Sequence, residues 1–148
     1  MKFSKLLNTQ KTVFTVPQLG QILAIEKVQI LRNQLTRRKR QGLLQNIYHG
    51  IRALSHYSEK ELANALKTPS YISLETVLYA NAVVFQRYGS TIFSIADTTK
   101  SFKIHEIHYE YHKISSNILL NPQGITYQNG IAIASVERAI CDRLYLSP

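Results

Sequence analysis

Between His105 and His112 the sequence reads HEIHYEYH. On an extended strand alternate side chains share a face, so Glu106, His108, Glu110 and His112 would stand together. Imidazoles and carboxylates are metal-ligand types. A metal site needs three converging groups, however, and only residues two apart on a strand are near neighbours. A solvated face opposite Ile107, Tyr109 and Tyr111 explains the same pattern, so no metal site is assigned. Asp97, Glu110 and Lys113 are the types found in a metal-dependent nuclease, whose carboxylates must converge on the ion. The Glu-to-Lys spacing is one residue too long for alternate positions on a strand. Cys141 is the single cysteine. It falls in the last predicted helix with no sequence-adjacent base and is expected to be a small buried core residue. The six glycines are scattered singly, without a phosphate-cradling loop. The expectation is a protein that is not an enzyme, with no catalytic residues, no metal and no cofactor.

The stronger chemistry lies in LTRRKRQGLLQNIYHGIRAL, residues 35–54. At about 100° per residue, a helix through this region sets Asn33, Thr36 and Arg40 within about 40° of Gln29. Arg32 and Arg37 flank that stripe, and Val28, Leu31 and Leu35 fall on the far side. One face is thus apolar and can pack. The other carries Gln, Asn, Thr and Arg, which hydrogen-bond base edges and phosphates. The expected phosphate contacts are Lys27, Arg32, Arg37, Lys39 and Arg40. The expected base contacts are Gln29, Asn33 and Thr36. Arg38 extends the apolar seam, where its aliphatic stem can cover the core edge.

Charge is confined in the same way. The net charge is +9, and residues 1–60 hold eleven Lys and Arg against two acids, while the remainder is balanced. A basic first unit joined to a neutral second one points to a polyanionic partner. Hydrophobic residues make up 45% of the chain, enough for a packed core and against bulk disorder. A lone cysteine excludes an intrachain disulfide and suits a reducing compartment. The amino-terminal MKFSKLLNTQKT lacks the apolar core of a signal peptide. No run approaches the roughly 20 apolar residues that span a bilayer. The expected location is cytoplasmic.

Elements must hold that basic face in place. Residues 3–8 suit a short helix and 13–15 a short strand. Thr15 and Gln18 form a capping-box pattern, with Pro17 in the first turn of a helix over 16–23. Ala24 and Ile25 make a turn into a helix over 26–41, which Gly42 ends in a left-handed conformation. Residues 43–48 and 51–54 read as strands joined at His49-Gly50, a two-residue hairpin. His49 and Arg52 on this wing are expected to reach a neighbouring groove or the backbone. The order matches a winged helix-turn-helix over residues 1–57.

Residues 58–148 read as a small α+β domain. Ser58 and Glu61 make a capping box for a helix to about 67. Ser73 can cap a helix over 74–84, and a strand follows at 90–97. Residues 100–114 alternate, Asn129-Gly130 marks a hairpin between two short strands, and Ser135 can cap a helix over 136–146. The fold class is therefore α+β, a winged helix-turn-helix followed by a small α+β domain.

Three segments in order, RQGLLQNIYHGIRAL, ANALKTPSYISLETVLYANAV and GIAIASVERAICDRLYL, resemble the AbiEi-type antitoxins of abortive-infection (type IV) toxin–antitoxin systems. The likeness covers nearly the whole chain. Val136 stands where proline is usual in that family, and Arg38 and Lys39 stand where it tends to be apolar. Many family members continue with further helices beyond the position of Pro148. The resemblance implies a transcriptional repressor that binds double-stranded DNA at inverted repeats in its own promoter. It also implies an antitoxin acting against a nucleotidyltransferase-like toxin. The alternative reading is a protein-interaction module whose basic helix binds an acidic toxin without DNA.

Overall fold

The computed structural model describes residues 2–84 and 89–147, and the fold is mixed α+β. The chain divides into two compact units, Met1–Leu66 and Lys67–Pro148.

The first unit runs α1 (Lys2–Asn8), β1 (Val13–Thr15), α2 (Val16–Ile22), α3 (Val28–Arg40), β2 (Gln45–Tyr48), β3 (Ile51–Ala53) and α4 (Glu59–Leu66). β3 is the centre of an antiparallel sheet in the order β1-β3-β2. Thr15 caps α2 reciprocally with Gln18, and Pro17 sits in the first turn, where no N–H is needed. Ala24 takes φ +55 in the turn before α3. At the end of α3, Leu43 N–H donates to Arg38 O and Gly42 N–H donates to Lys39 O, both at 3.0 Å. This pair of bonds is a Schellman cap, and Gly42 supplies its left-handed residue at φ +75.

The core of this unit is Leu6, Phe14, Leu19, Leu23, Ile25, Leu31, Leu35 and Leu44. Leu31 and Leu35 face inward as their spacing predicts, but Val28 does not. At the first helical position it is 63% exposed, because the apolar seam meets its neighbours only from the second turn onward.

The expected domain boundary at residue 57 falls short of the observed one at 66. The reason is local. Ser58 Oγ accepts from Glu61 N–H at 3.3 Å, which is half of a capping box. The Glu61 carboxylate turns away from the box and accepts from Thr12 N–H at 2.8 Å and Val13 N–H at 3.0 Å. Ser58 N–H in turn donates to the Thr12 hydroxyl at 2.7 Å. These bonds tie α4 to β1, so the helix belongs to the first unit.

The second unit runs β4 (Ser70–Ile72), α5 (Leu74–Ala80), β5 (Thr91–Ala96), β6 (Lys100–Ile104), β7 (Ile107–Lys113), α6 (Ser116–Leu119), β8 (Ile125–Gln128), β9 (Ile131–Ala134) and α7 (Val136–Leu146). Its sheet order is β6-β7-β5-β4-β9-β8. β5 pairs in parallel with β7 and β4 in parallel with β9, while the remaining neighbours are antiparallel. The alternating stretch 100–114 is not one strand. His105 and Glu106 both take positive φ, +48 and +69, making a tight hairpin turn of the kind that matches sheet twist. Asn129 and Gly130 do the same between β8 and β9.

Ser73 does not cap α5 with its side chain. Its hydroxyl donates to Asp142 Oδ2 at 2.7 Å, and Tyr71 Oη donates to the same oxygen at 3.0 Å. Asp142 lies on α7 and is 2% exposed. Its other oxygen is 3.5 Å from Arg138 Nε, one helical turn earlier. Arg138 donates onward to the Tyr71 oxygen and to the carbonyls of Ile118 and Asn121. A buried carboxylate is tolerable only when paired and hydrogen-bonded, and both conditions hold here. The network joins β4 to α7, and Glu75–Arg143 at 3.2 Å adds an ion pair between α5 and α7.

Asp142→Ala would leave Arg138 partly buried without its anion. Expected is a loss of roughly 3–5 kcal/mol in the urea-induced unfolding of the second unit. A change under ~1 kcal/mol refutes the assignment of this network as the unit's tie. Burial first, and then the Asp142 charge, raises the Tyr71 hydroxyl above its ordinary value, and burial does the same for Tyr111. A group raised in the folded state stabilises below its unfolded value and loses that contribution as pH climbs. Unfolding free energy should therefore decline once pH passes about 10, and a level profile up to pH 11.5 contradicts it.

Candidate nucleic-acid interface

α3 is positioned by Leu31 and Leu35, 7% and 5% exposed. With these two held inward, the helix turns Gln29, Arg32, Asn33, Thr36, Arg37, Lys39 and Arg40 outward, and all seven are exposed. Gln29 Nε2 donates to Asn33 Oδ1 at 3.2 Å, a one-turn pair that holds both amides on the outer face.

The outer face divides into two edges. Asn33, Gln34, Thr36, Arg37 and Arg40 line one shallow hollow. On the other edge, Arg32, Thr36 and Lys39 of α3 meet Asn46 of β2 and Arg52 of β3 across a cleft of about 490 Å³, with Val16 and Leu35 as its apolar lining. Thr36 lies between the two hollows. A third hollow, along the β2–β3 hairpin, is lined by Asn46, Ile47, Tyr48, His49, Gly50 and Arg52. The His49 ring meets Tyr48 edge-on, with centroids 5.1 Å apart, and Gly50 turns the tip at φ +72.

Lys27 and Gln29 enter neither edge. Lys27 is the residue before the first turn of α3 and makes no side-chain cap. Asn46 and Tyr48 were not anticipated from sequence. Their signal was the strand alternation of QNIY, which sets Asn46 and Tyr48 outward while Ile47 is half-buried.

The ion pairs of the described residues are Lys67–Asp97, Lys103–Glu106, Arg138–Asp142 and Arg143–Glu75. None involves a cation of α3 or of the hairpin. Four bases occupy the last turn of α3, where the helix carbonyls favour positive charge. Over residues 1–66, eleven Lys and Arg against three acids leave +8. Partial burial lowers the Arg52 guanidinium from its ordinary value. That shift reflects the cost of holding a charge where water reaches it poorly.

Arg38 departs from the other cations of its run. Its guanidinium lies 5.6 Å from the Phe3 ring centroid and donates to Gln41 Oε1 at 3.2 Å. The charge rests on the aromatic face of a residue of α1.

The other candidate chemistries fare differently. Glu106 sits in the β6–β7 turn and not on a strand face. His108, Glu110 and His112 do alternate with the buried Tyr109 and Tyr111, and His112 stacks on Phe93 at 6.3 Å. Asp97 is bound to Lys67 at 3.0 Å, and this contact, through its hydrogen bond first, holds the carboxyl below its ordinary value. Among the described residues no group of three or more His, Cys, Asp and Glu is placed to hold a metal ion. Cys141 is exposed and not part of the core, because α7 turns Ala139 and Asp142 inward and leaves position 141 outside. No described helix is long and apolar enough to cross a membrane.

Arg38→Ala is expected to cost roughly 0.5–1 kcal/mol of stability through the lost Phe3 contact. It should leave the salt dependence of duplex binding as in the parent. A changed salt slope would place Arg38 among the phosphate contacts instead. No protein-family model matches the chain, and no curated protein matches it significantly.

Proposed function

We propose that residues 1–66 form a winged helix-turn-helix that binds duplex DNA, with α3 as the recognition helix and the β2–β3 hairpin as the wing. The chain would act as repressor of its own promoter and as antitoxin of an AbiE-like (type IV) system. One observation carries the DNA-binding part. The outward face of α3 presents Gln29, Asn33, Thr36 and Arg40 clear of the core, with cations on both flanks that join no ion pair among the described residues.

The chemistry follows from what each type can do. Amides can bond adenine N6 and N7 in the major groove, and arginine can bond guanine O6 and N7. Arg and Lys on the flanks neutralise phosphates and release counterions, which supplies affinity without sequence information. The order helix, strand, helix, turn, helix, hairpin supports the winged assignment, as does the β1-β3-β2 sheet that sets the hairpin beside α3. Inverted repeats would require two copies on one operator.

The antitoxin role rests on the resemblance of PSYIS and SVERAICD to the AbiEi family. Tyr71, Ser73, Arg138 and Asp142 of these segments form one buried network. The likeness in the second unit therefore speaks to a common architecture, and its toxin is a separate matter for experiment.

Arg37→Ala with Arg40→Ala should reduce the slope of log affinity against log salt by about 0.9 for each lost phosphate contact. Asn33→Ala should relax base preference more than it lowers affinity. A gel-shift titration on the upstream promoter at two salt concentrations measures the first, and selection from random duplexes measures the second. An unchanged slope together with an unchanged motif sinks the winged-helix reading. Capture of an acidic partner by a chain that binds no duplex would favour the protein-interaction alternative. A neighbouring gene that encodes no nucleotidyltransferase removes the antitoxin part.

A further inference from the structure

The cleft between α3 and the hairpin gathers cations and neutral hydrogen-bonding side chains from two separate elements. Arg32 and Lys39 are seven residues apart on α3, two helical turns, with Thr36 between them on the same side. Asn46 and Arg52 are direct cross-strand partners on β2 and β3, so their side chains stand side by side on one face of the sheet. The cleft lining contains three cations, two neutral hydrogen-bonding side chains and no acid. None of the three cations belongs to an ion pair of the described residues. Arg52 is half-buried, and among the described residues its guanidinium donates to the carbonyl of Ile51, at a long 3.5 Å.

Three like charges gathered around one concavity repel one another, and a partly desolvated guanidinium lacks its hydration. An anion seated among them relieves both costs. Arg, Thr and Asn side chains are all phosphate donors in protein–DNA contacts.

We infer that this cleft is the seat of a single backbone phosphodiester, held by Arg32, Lys39 and Arg52 with Asn46 and Thr36 as neutral donors. The inference rests on the duplex-binding reading and adds a division of labour to it. The cleft fixes the register of α3 in the groove and reads no sequence. The opposite edge is left to the base contact of Asn33 and to the separate phosphate contacts of Arg37 and Arg40. A phosphate seated against both α3 and the hairpin also couples wing to recognition helix, so neither contact is made alone.

The test is a methylphosphonate scan, in which one phosphate at a time along the bound promoter duplex is made neutral. It uses the full chain and its Lys39→Ala, Asn46→Ala and Arg52→Gln variants. Lys39 and Asn46 are exposed, so their variants keep the test sound if Arg52→Gln folds poorly. In the parent, one position per half-site should weaken binding when neutralised. At that position the Lys39→Ala and Asn46→Ala variants should show a markedly smaller effect. The salt slope of Lys39→Ala should fall by about 0.9, and all three variants should select the parent's base motif. Undiminished effects at every position in the variants overturn the seat, as does a motif altered by Asn46→Ala or Arg52→Gln. Inorganic phosphate should displace the duplex no better than chloride at equal ionic strength. A stronger displacement would assign the cleft to a free phosphate ligand and overturn the backbone assignment. If the parent itself binds no duplex, the duplex-binding reading fails. If the parent binds and the scan is flat, only the seat fails.

Discussion

The rotation of α3 about its own axis is the constraint on which the candidate interface depends. Leu31 and Leu35 fix it by entering the cluster built from Leu6, Phe14, Leu19, Leu23, Ile25 and Leu44. Burying two leucines stabilises this rotation by about 1.5–3 kcal/mol each. Turning the helix by one residue would expose them and drive Arg32 or Thr36 into apolar surroundings, which costs more than it returns. The outer face is thus set by what the inner face must do. Arg38 shows the same logic at the border. Placed at the edge of the inner seam, it rests its charge on Phe3 of α1.

The neighbouring elements turn that face into a site with two different edges. Gly42 stops α3 by a Schellman cap, and the chain returns at once as β2. The hairpin therefore stands against the Arg32–Lys39 side and not the Asn33–Arg37 side. The asymmetry follows from chain path alone. Because no carboxylate pairs with these cations among the described residues, the field of the first unit stays uncompensated and is available to a polyanion.

The second unit is organised around a different interaction. Asp142 is buried on α7 and receives hydroxyl donors from Tyr71 and Ser73 while Arg138 neutralises it. Four side chains from two distant segments thereby require one another. Ser73 gives up helix capping to serve this carboxylate, and Cys141 is left outside because the turn of α7 is set by Asp142 and Ala139. Short-range rules for caps and cores give the wrong answer at these positions, since a buried charge imposes a stronger requirement than either.

Elements whose signals are local can be read directly from the chain. The Thr15–Gln18 cap, Gly42, the hairpins at His49-Gly50 and Asn129-Gly130, and the Leu31–Leu35 seam each depend on residues within one or two turns of chain. The outward set on α3 was legible for the same reason, as was the α+β class. Tertiary structure alone decided where Glu61 sends its carboxylate, and so which unit owns α4. It alone split residues 100–114 at a turn without glycine or asparagine, where sheet pairing with β5 outweighs the cost of two left-handed residues. It alone brought Asn46 and Arg52 to Arg32 and Lys39. Local patterns fix conformation and facing, because backbone sterics and helical or strand periodicity act over a few residues. Which distant faces meet depends on packing and on the satisfaction of buried polar groups, and no window of the chain contains both partners.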